Sequence, residues 1–596
     1  MSSSPWAPPP GFQTRPDLSG SFGMVAATHW LAAGAAQSVL ERGGNAFDAA
    51  VAGSLVLHLA EPHLNGPAGD LVGLVAPRAS RPRVLSGQGP APAGATVAHY
   101  RGLGLDAVPG AGGLAAAIPG AFPALLLLLR EHGTWEFADV AAYAMHYAET
   151  GVPVSPAWAR AVRAVEGLFR EAWPTSAALW MPAGRPPRAG ESFRNPMWAD
   201  ALRRLVASGT GGTRGARLDG VLAAWREGFV ARELTDFLSR PHRHSDGRDH
   251  AGVLSAADLR GHDASWEEPV AYTFRGVDVV KAPGWGSGPV LLQALAILAT
   301  FPDDALDPST PGGAHLVVEA LKLALADRDG YYGEDSRAVL AVLLSDDYAR
   351  ERAALIGEEA SELWRPGRVP GLEPFVPPLF EASGAAGGST GEPTVRTSGE
   401  TRGDTCHIDV VDSAGNMVSL TPSGGWLQSS PAVPSLGIAA GTRLQMAWLD
   451  EGAPAALRPG ARPRTTLSPA MLAGGGTVVE AFGTPGGDQQ DQWQLPYVLR
   501  RVLGGYSPQA AIDAPTLHTT HLPSSFWPRA WVPRGVVVED RLGDDVIRGL
   551  RDRGHAVSVV DGWSLGRLSA VSRDPSDGTL SAAANPRGAS GYAVGR

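Results

Sequence analysis

The 596-residue chain holds one cysteine, Cys406, which excludes internal disulfides and any cysteine-built zinc site. Lysine is almost as scarce: only Lys281 and Lys322 occur, and no glycine-rich loop ends in the lysine a P-loop requires. The longest apolar run, around Phe122 to Leu129, falls far short of the roughly 20 residues that span a bilayer. No basic stretch leads into an apolar one after Met1-Ser2-Ser3-Ser4, so a cytoplasmic location without membrane contact is expected. Excess positive charge is missing too, and a formal net charge of −10 argues against a nucleic-acid partner. Apolar residues are plentiful, at 44%, and at this length they can build roughly two to four structural units.

Periodicity predicts a helix from Met24 through Leu40, closed by Gly43-Gly44, and a second starting at Asn45-Ala46-Phe47-Asp48. Glu61-Pro62-His63 ends the second, because the residue before a proline disfavours helix. A turn at Asn65–Asp70 feeds a strand over Leu71–Ala76, and core helices are expected over 121–130, 137–149 and 312–329. Residues 366–404 are rich in Pro, Gly, Ser, Thr and Glu and lack apolar repetition, which reads as an exposed, disordered tether. Beyond it Thr405–Val411 alternates, Asp412–Asn416 turns, and Met417–Thr421 pairs back as a hairpin. Another buried strand, Thr477–Phe482, runs into Gly483-Thr484-Pro485-Gly486-Gly487.

Thr405 is the chemically informative residue, a hydroxyl at the head of a strand just after the aperiodic stretch. Threonine is a weak nucleophile unless a base adjoins it, and its own α-amine is one such base. That amine titrates at about 7.7–8.0, whereas an internal amide nitrogen takes no proton. A backbone cut between Asp404 and Thr405 would therefore create the catalyst. Acyl transfer also needs fixed donors for the oxyanion. Gly486-Gly487 follows a buried strand, where two glycines let backbone N–H groups approach a ligand. Taken alone, that loop reads as an ordinary strand-end turn.

Several collinear segments resemble the γ-glutamyltranspeptidase family. They are Gly23–His29, Gly43–Val51, Glu61-Pro62-His63, Pro119-Gly120, Ala326-Asp327-Arg328, Thr405–Asp412, Thr421, Arg464–Pro469, Gly483–Gly487 and Asn585-Pro586-Arg587. The resemblance runs from about Gly23 to about Arg587. It implies an α/β (α+β) N-terminal nucleophile hydrolase, a four-layer αββα sandwich cut into a large subunit, 1–404, and a small subunit, 405–596. The two would stay together as a heterodimer with one shared core, and no metal or organic cofactor is implied. Residue by residue, Thr405 matches the nucleophile, and Gly486 and Gly487 match the oxyanion donors. Thr421 lies where the family has a threonine near the new amino terminus, and Ser423 replaces a second threonine that hydrogen-bonds the nucleophile. Thr465 and Thr466 replace a serine pair that holds the substrate carboxylate, and Gln445 matches a pocket glutamine.

Three departures bear on substrate. The family's arginine for the α-carboxylate falls at Val97, with Arg101 close by. Its carboxylate for the α-ammonium falls at Trp448, and an assisting asparagine falls at Gly425. Each desolvated charge contact removed costs about 2–5 kcal/mol. The favoured reading is therefore an amide hydrolase or acyltransferase for a small-molecule amide lacking the γ-glutamyl head, with water or an amine as acceptor. A true γ-glutamyltransferase or glutathione hydrolase, and an uncut pseudoenzyme serving as a scaffold, stay open as alternatives. Cys406 should point to the face opposite Thr405, as a small buried hydrophobe. His242, His244 and His250 with Asp246 and Asp249 read as a solvated loop, and His518 with His521 lacks the glutamate of a zincin helix. His407 reads as a structural histidine, and Asp327-Arg328 as a helix-surface or inter-layer pair.

Overall fold

The computed structural model describes residues 6–9, 11–381 and 405–596. Asp404, and with it the cleavage position and the 382–404 portion of the tether, lies outside the described residues. Two seven-stranded antiparallel sheets carry the molecule. The first runs in the order Tyr592–Gly595, Gly23–Ala27, Ile408–Asp412, Met417–Ser423, Asp70–Ala76, Arg83–Gly87, Ser265–Glu267. The second runs Leu18–Gly20, Leu580–Ala584, Ser569–Arg573, Thr477–Gly483, Ala470–Gly474, Val277–Lys281, Val270–Phe274. Both interleave strands from before and after residue 405, so neither portion of the chain contains a whole sheet.

Strand alternation sorts the side chains into layers. Val25, Ala27, Ile408, Val410, Val418 and Leu420 face a core shared with the helices Trp30–Glu41, Ala46–Ala60 and Ala121–His132. Met24, Ala26, Val72, Val411, Met417, Met471 and Ala481 meet in a second core between the two sheets. Leu472, Phe482 and Ala570 turn outward onto Pro289–Leu298, Pro311–Tyr331 and Gln490–Val502. The order helix, sheet, sheet, helix is the sandwich the resemblance implied.

Local chemistry places most elements correctly. Asn45 caps its helix through the Phe47 and Asp48 amides, with Asp48 reaching back to the Asn45 N–H. Four readings need correction. Met24–Ala27 is strand, not helix: all of Gly23–Ala27 is buried on both faces, and a short doubly buried apolar run has no diagnostic period. Residues 366–381 are held against the body. Gly367 N–H donates to Asp327 at 2.6 Å, Tyr331 Oη–H donates to Gly367 O at 2.7 Å, and Phe380–Glu381 pairs with Ala530–Trp531. Asp327 and Arg328 are both buried but do not pair with each other: Asp327 faces Arg352 at 3.3 Å and Arg328 faces Asp488 at 2.5 Å. The histidine loop is partly internal, since buried His244 accepts the Leu114 N–H at 2.8 Å. Among the described residues no helix is long and apolar enough to cross a membrane.

Buried imidazoles give the fold a pH dependence. Burial pushes His29, His58 and His518 each down to about 3, against roughly 6.5 in an unfolded chain. Below that value the unfolded state takes up protons that the native state refuses. Stability held above about pH 6.5 is thus lost as pH falls, by up to ~1.4 kcal/mol per pH unit for each group. Urea unfolding is expected to show a lower midpoint at about pH 5 than at about pH 7, and equal midpoints would contradict this.

Candidate active site

Thr405 forms a bridge with Ser423 in line with the pair Ile408–Asp412 and Met417–Ser423, three residues beyond the end of their ladder at Ile408 and Leu420. Odd-numbered residues of this segment face the second sheet. Thr405, His407 and Asp409 thus lie on the inter-sheet side, and Cys406 packs in the helix-side core, as alternation requires. Thr405 is 1% exposed, and its hydroxyl lies 3.4 Å from Ser423 Oγ. Arg443 donates to Ser423 Oγ at 3.1 Å and is itself paired with Asp70 at 2.7 Å. This pair fixes the serine beside Thr405, and no motif or spacing in the chain points to it.

A polar column continues into the sandwich. His407 Nδ1 lies 2.8 Å from Thr421 Oγ1, and His407 Nε2 lies 2.9 Å from Asp409 Oδ1. Ser569 Oγ–H donates to the other Asp409 oxygen at 2.8 Å. Thr421 thus stands one pair along from Thr405 and Ser423, hydrogen-bonded to His407, and the structural role read for His407 agrees with its complete burial. Behind Cys406, Thr28 Oγ1–H donates to Glu61 at 2.7 Å and the thiol donates to the same carboxylate at 3.2 Å. Burial pushes the Glu61 carboxyl up, against the pull of Arg567. Burial and the adjacent Glu61 also push the Cys406 thiol well above its ordinary range, which disfavours the thiolate.

The strand Thr477–Gly483 lies over this column. A Cβ on Gly483 would sit 2.2 Å from the His407 ring, so glycine is required where the two sheets meet. The chain then enters the glycine loop, with Gly486 at φ +131° and Gly487 at φ +54°, and continues into Gly487–Gln489 and the helix Gln490–Val502. Both conformations belong to the region that favours glycine. Asp488 accepts from Ser525 N–H at 2.7 Å and from Ser525 Oγ–H at 2.6 Å, tying the 524–529 loop to the glycine loop.

The residues expected to line the substrate pocket divide into two groups. Gln445, on the turn Arg443–Met446, donates to Gly110 O at 3.2 Å and to Thr442 Oγ1 at 3.1 Å, and accepts the Trp527 N–H. Thr465 is pinned by Trp285 and Ser287, while Thr466 Oγ1 is buried with no hydrogen-bond partner among the described residues. Val97 starts the helix Val97–Gly102 and packs half-buried against a cluster that includes Leu444, Ala447 and Leu449. Trp448 stacks on the guanidinium of Arg529, whose Cζ is 3.8 Å from the ring centroid. A guanidinium therefore backs Trp448. Among the described residues only His315, Glu319 and His555 could group around a metal ion. Lys322 and Arg365 already hold Glu319, which disfavours a cation there. His518 and His521 form no such group.

The chain resembles several known proteins over its whole length. It is 50% identical to the solved structure LmbA2991HD, with a TM-score of 0.93 over 98% of this chain and 100% of that one. Cephalosporin acylase from Bacillus halodurans is 30% identical, with a TM-score of 0.81 over 100% and 99% of the two chains. The glutathione hydrolase-like YwrD proenzyme of Bacillus subtilis (strain 168) is 30% identical over 96% of this chain and 98% of its own. Residues 32–595 match the family described as γ-glutamyltranspeptidase. With that match spanning nearly every element of the sandwich, the chain belongs to the γ-glutamyltranspeptidase family.

Proposed function

We propose that the chain is an autoprocessing threonine amidohydrolase or acyltransferase whose acyl pocket is not built for a γ-glutamyl zwitterion. In maturation, Thr405 Oγ attacks the Asp404 carbonyl carbon and the amide nitrogen takes the hydroxyl proton as the C–N bond breaks. Water then opens the resulting ester, leaving an Asp404 carboxyl group and a free Thr405 amine and hydroxyl. In turnover that amine takes the Oγ proton as Oγ attacks a substrate amide, and the N–H groups of Gly486 and Gly487 hold the oxyanion. The leaving amine takes the proton, and water or an amine acceptor resolves the acyl-Thr405 ester.

The observation that carries this reading is the placement of Thr405: a buried hydroxyl facing the inter-sheet side, 3.4 Å from Ser423 Oγ, beneath the strand that leads to the glycine loop. The names of two relatives, a proenzyme and an acylase, support it. Arg529 behind Trp448 supports the altered head group, because a cation there repels the α-ammonium that the family's carboxylate would attract.

Intact mass and N-terminal sequencing of purified protein are expected to find two associated chains, the smaller beginning at Thr405. An active sample made of one continuous chain would overturn the proposal. A γ-glutamyl anilide is expected to turn over with kcat/KM below about 10⁴ M⁻¹s⁻¹, the lower end of ordinary enzyme values. Faster release would favour the glutathione hydrolase reading.

A further inference from the structure

The ladder that carries the nucleophile's segment ends at Ile408 and Leu420, so Thr405, Cys406 and His407 lie beyond it. After the proposed cut these three residues also begin a chain, and chain ends fray unless they are tied down. Cys406 N–H reaches Pro422 O at 2.9 Å on one side. On the other side Thr28 N–H donates to His407 O at 3.0 Å, and Thr28 Oγ1 accepts the His407 N–H at 3.4 Å. One oxygen of Glu61 accepts both the Thr28 hydroxyl, at 2.7 Å, and the Cys406 thiol, at 3.2 Å. Asn65 Nδ2–H donates to Cys406 Sγ at 3.1 Å and to the carbonyls of Leu57 and Glu61 at 3.0 and 3.1 Å.

A carboxylate is an unfavourable group to find here. Glu61 is the C-cap of the helix Ala46–Ala60 and is 3% exposed. Burial opposes its charge, and so does the negative end of the helix dipole. A helix could end at this point with an apolar or amide side chain at lower cost, so local folding does not account for Glu61. What it gains is specific: two donors, on Thr28 and Cys406, and the opposite charge of Arg567. The Arg567 backbone N–H in turn donates to Thr484 Oγ1 at 3.0 Å, at the entrance to the glycine loop. Glu61 therefore meets the rear of the nucleophile's segment and lies in the field of a cation carried by the opposite sheet.

Resting on the amidohydrolase reading, we propose that Glu61 is a positioning residue for Thr405, clamping Cys406 directly and His407 through Thr28. The clamp holds the Thr405 hydroxyl and its new amine in place for both self-cleavage and turnover. Glu61 touches neither reacting group. Its hydrogen bonds end on the two residues after the nucleophile, and a misplacement of about 1 Å at a reacting group slows reaction by about 10²-fold. Cys406 and Glu61 lie on the helix side of the sheet and the Thr405 hydroxyl on the inter-sheet side, so loss of the clamp acts on kcat and leaves KM alone.

The test times self-cleavage of the full chain, freshly made by cell-free translation, on denaturing gels. It then measures amine release from γ-glutamyl-, glutaryl- and butyryl-4-nitroanilides, counted per cut chain. Glu61→Ala should lengthen the cleavage half-time and lower kcat by about 10²-fold each, with KM within a few-fold of native. Glu61→Gln keeps an acceptor oxygen for both donors and should return both rates to within about tenfold of native. Cys406→Ala should be slower than Cys406→Ser, which keeps a donor for Glu61. If Glu61→Ala does not fold, Thr28→Val carries the test, with about tenfold loss expected in both rates at unchanged KM. Native rates in Glu61→Ala or Thr28→Val, equal impairment in Glu61→Gln and Glu61→Ala, or a loss carried wholly by KM would overturn the clamp. If the wild-type chain cuts but releases no amine, cleavage half-times alone decide the clamp, and it is the amidohydrolase reading of turnover that fails. A wild-type chain that neither cuts nor releases amine ends that reading and the clamp with it.

Discussion

Alanine at position 405 is expected to leave one uncut polypeptide and to lower amide turnover by more than about 10⁴-fold, the scale seen when a covalent nucleophile is removed. Serine there should retain the cut, because it keeps the hydroxyl. Both effects follow from the isolation of this group. Ser423 Oγ accepts from Arg443 and stands at the nucleophile's side. Cys406 is the neighbour most able to substitute, but it faces the other side of the sheet and burial beside Glu61 disfavours its thiolate. Denaturing gel electrophoresis reads the cut, and amine release reads turnover. A Thr405→Ala protein that still appears as two bands, or works at the native rate, would end the nucleophile assignment.

Gly486→Ala carries the second large effect. A Cβ there would lie 2.2 Å from Trp493 Cζ3, and the residue holds φ at +131°, so both sterics and backbone oppose a side chain. Trp493 has no room to yield: it is 2% exposed, donates to His518 Nδ1 at 3.3 Å, and lies 3.5 Å from where a Cβ on Gly566 would sit. The backbone must shift instead, and its N–H moves with it. Loss of one oxyanion donor lowers kcat by about 10²- to 10³-fold, and a loss of that order is expected in Gly486→Ala. Gly487→Ala tests the second donor, at a strain cost of roughly 1–2 kcal/mol for an L-residue in the left-handed region. In each variant kcat should fall far more than the thermal midpoint. A Gly486→Ala enzyme within a few-fold of native kcat would show that this loop is a turn and nothing more.

Chemistry confined to one segment is legible from residue order alone. Thr405 stands out by residue type and by its position at the head of a strand, Ser423, Gly486 and Gly487 are singled out only through the family resemblance, and the side of the strand that Cys406 takes follows from a period of two. The helix Ala46–Ala60 is legible because its cap and its stop both lie within a few residues of it. Where a segment is buried on both faces, as at Met24–Ala27, the pattern that separates strand from helix vanishes, and periodicity misassigns the segment. Composition misleads at 366–381, where it suggests disorder but contacts to Asp327, Tyr331 and Ala530–Trp531 supply order.

What the amino-acid order determined by itself is the family and, through that resemblance, the sandwich and the candidate reacting groups, since the motifs that carry it depend on residue type and short-range spacing. Tertiary structure alone decided the electrostatics around them. Asp70 meets Arg443 across 373 residues, Arg328 meets Asp488 across 160, and Arg529 is left without a carboxylate among the described residues. Charge pairing depends on distance in space and on exclusion of water, and neither is written in the spacing of residues along a chain.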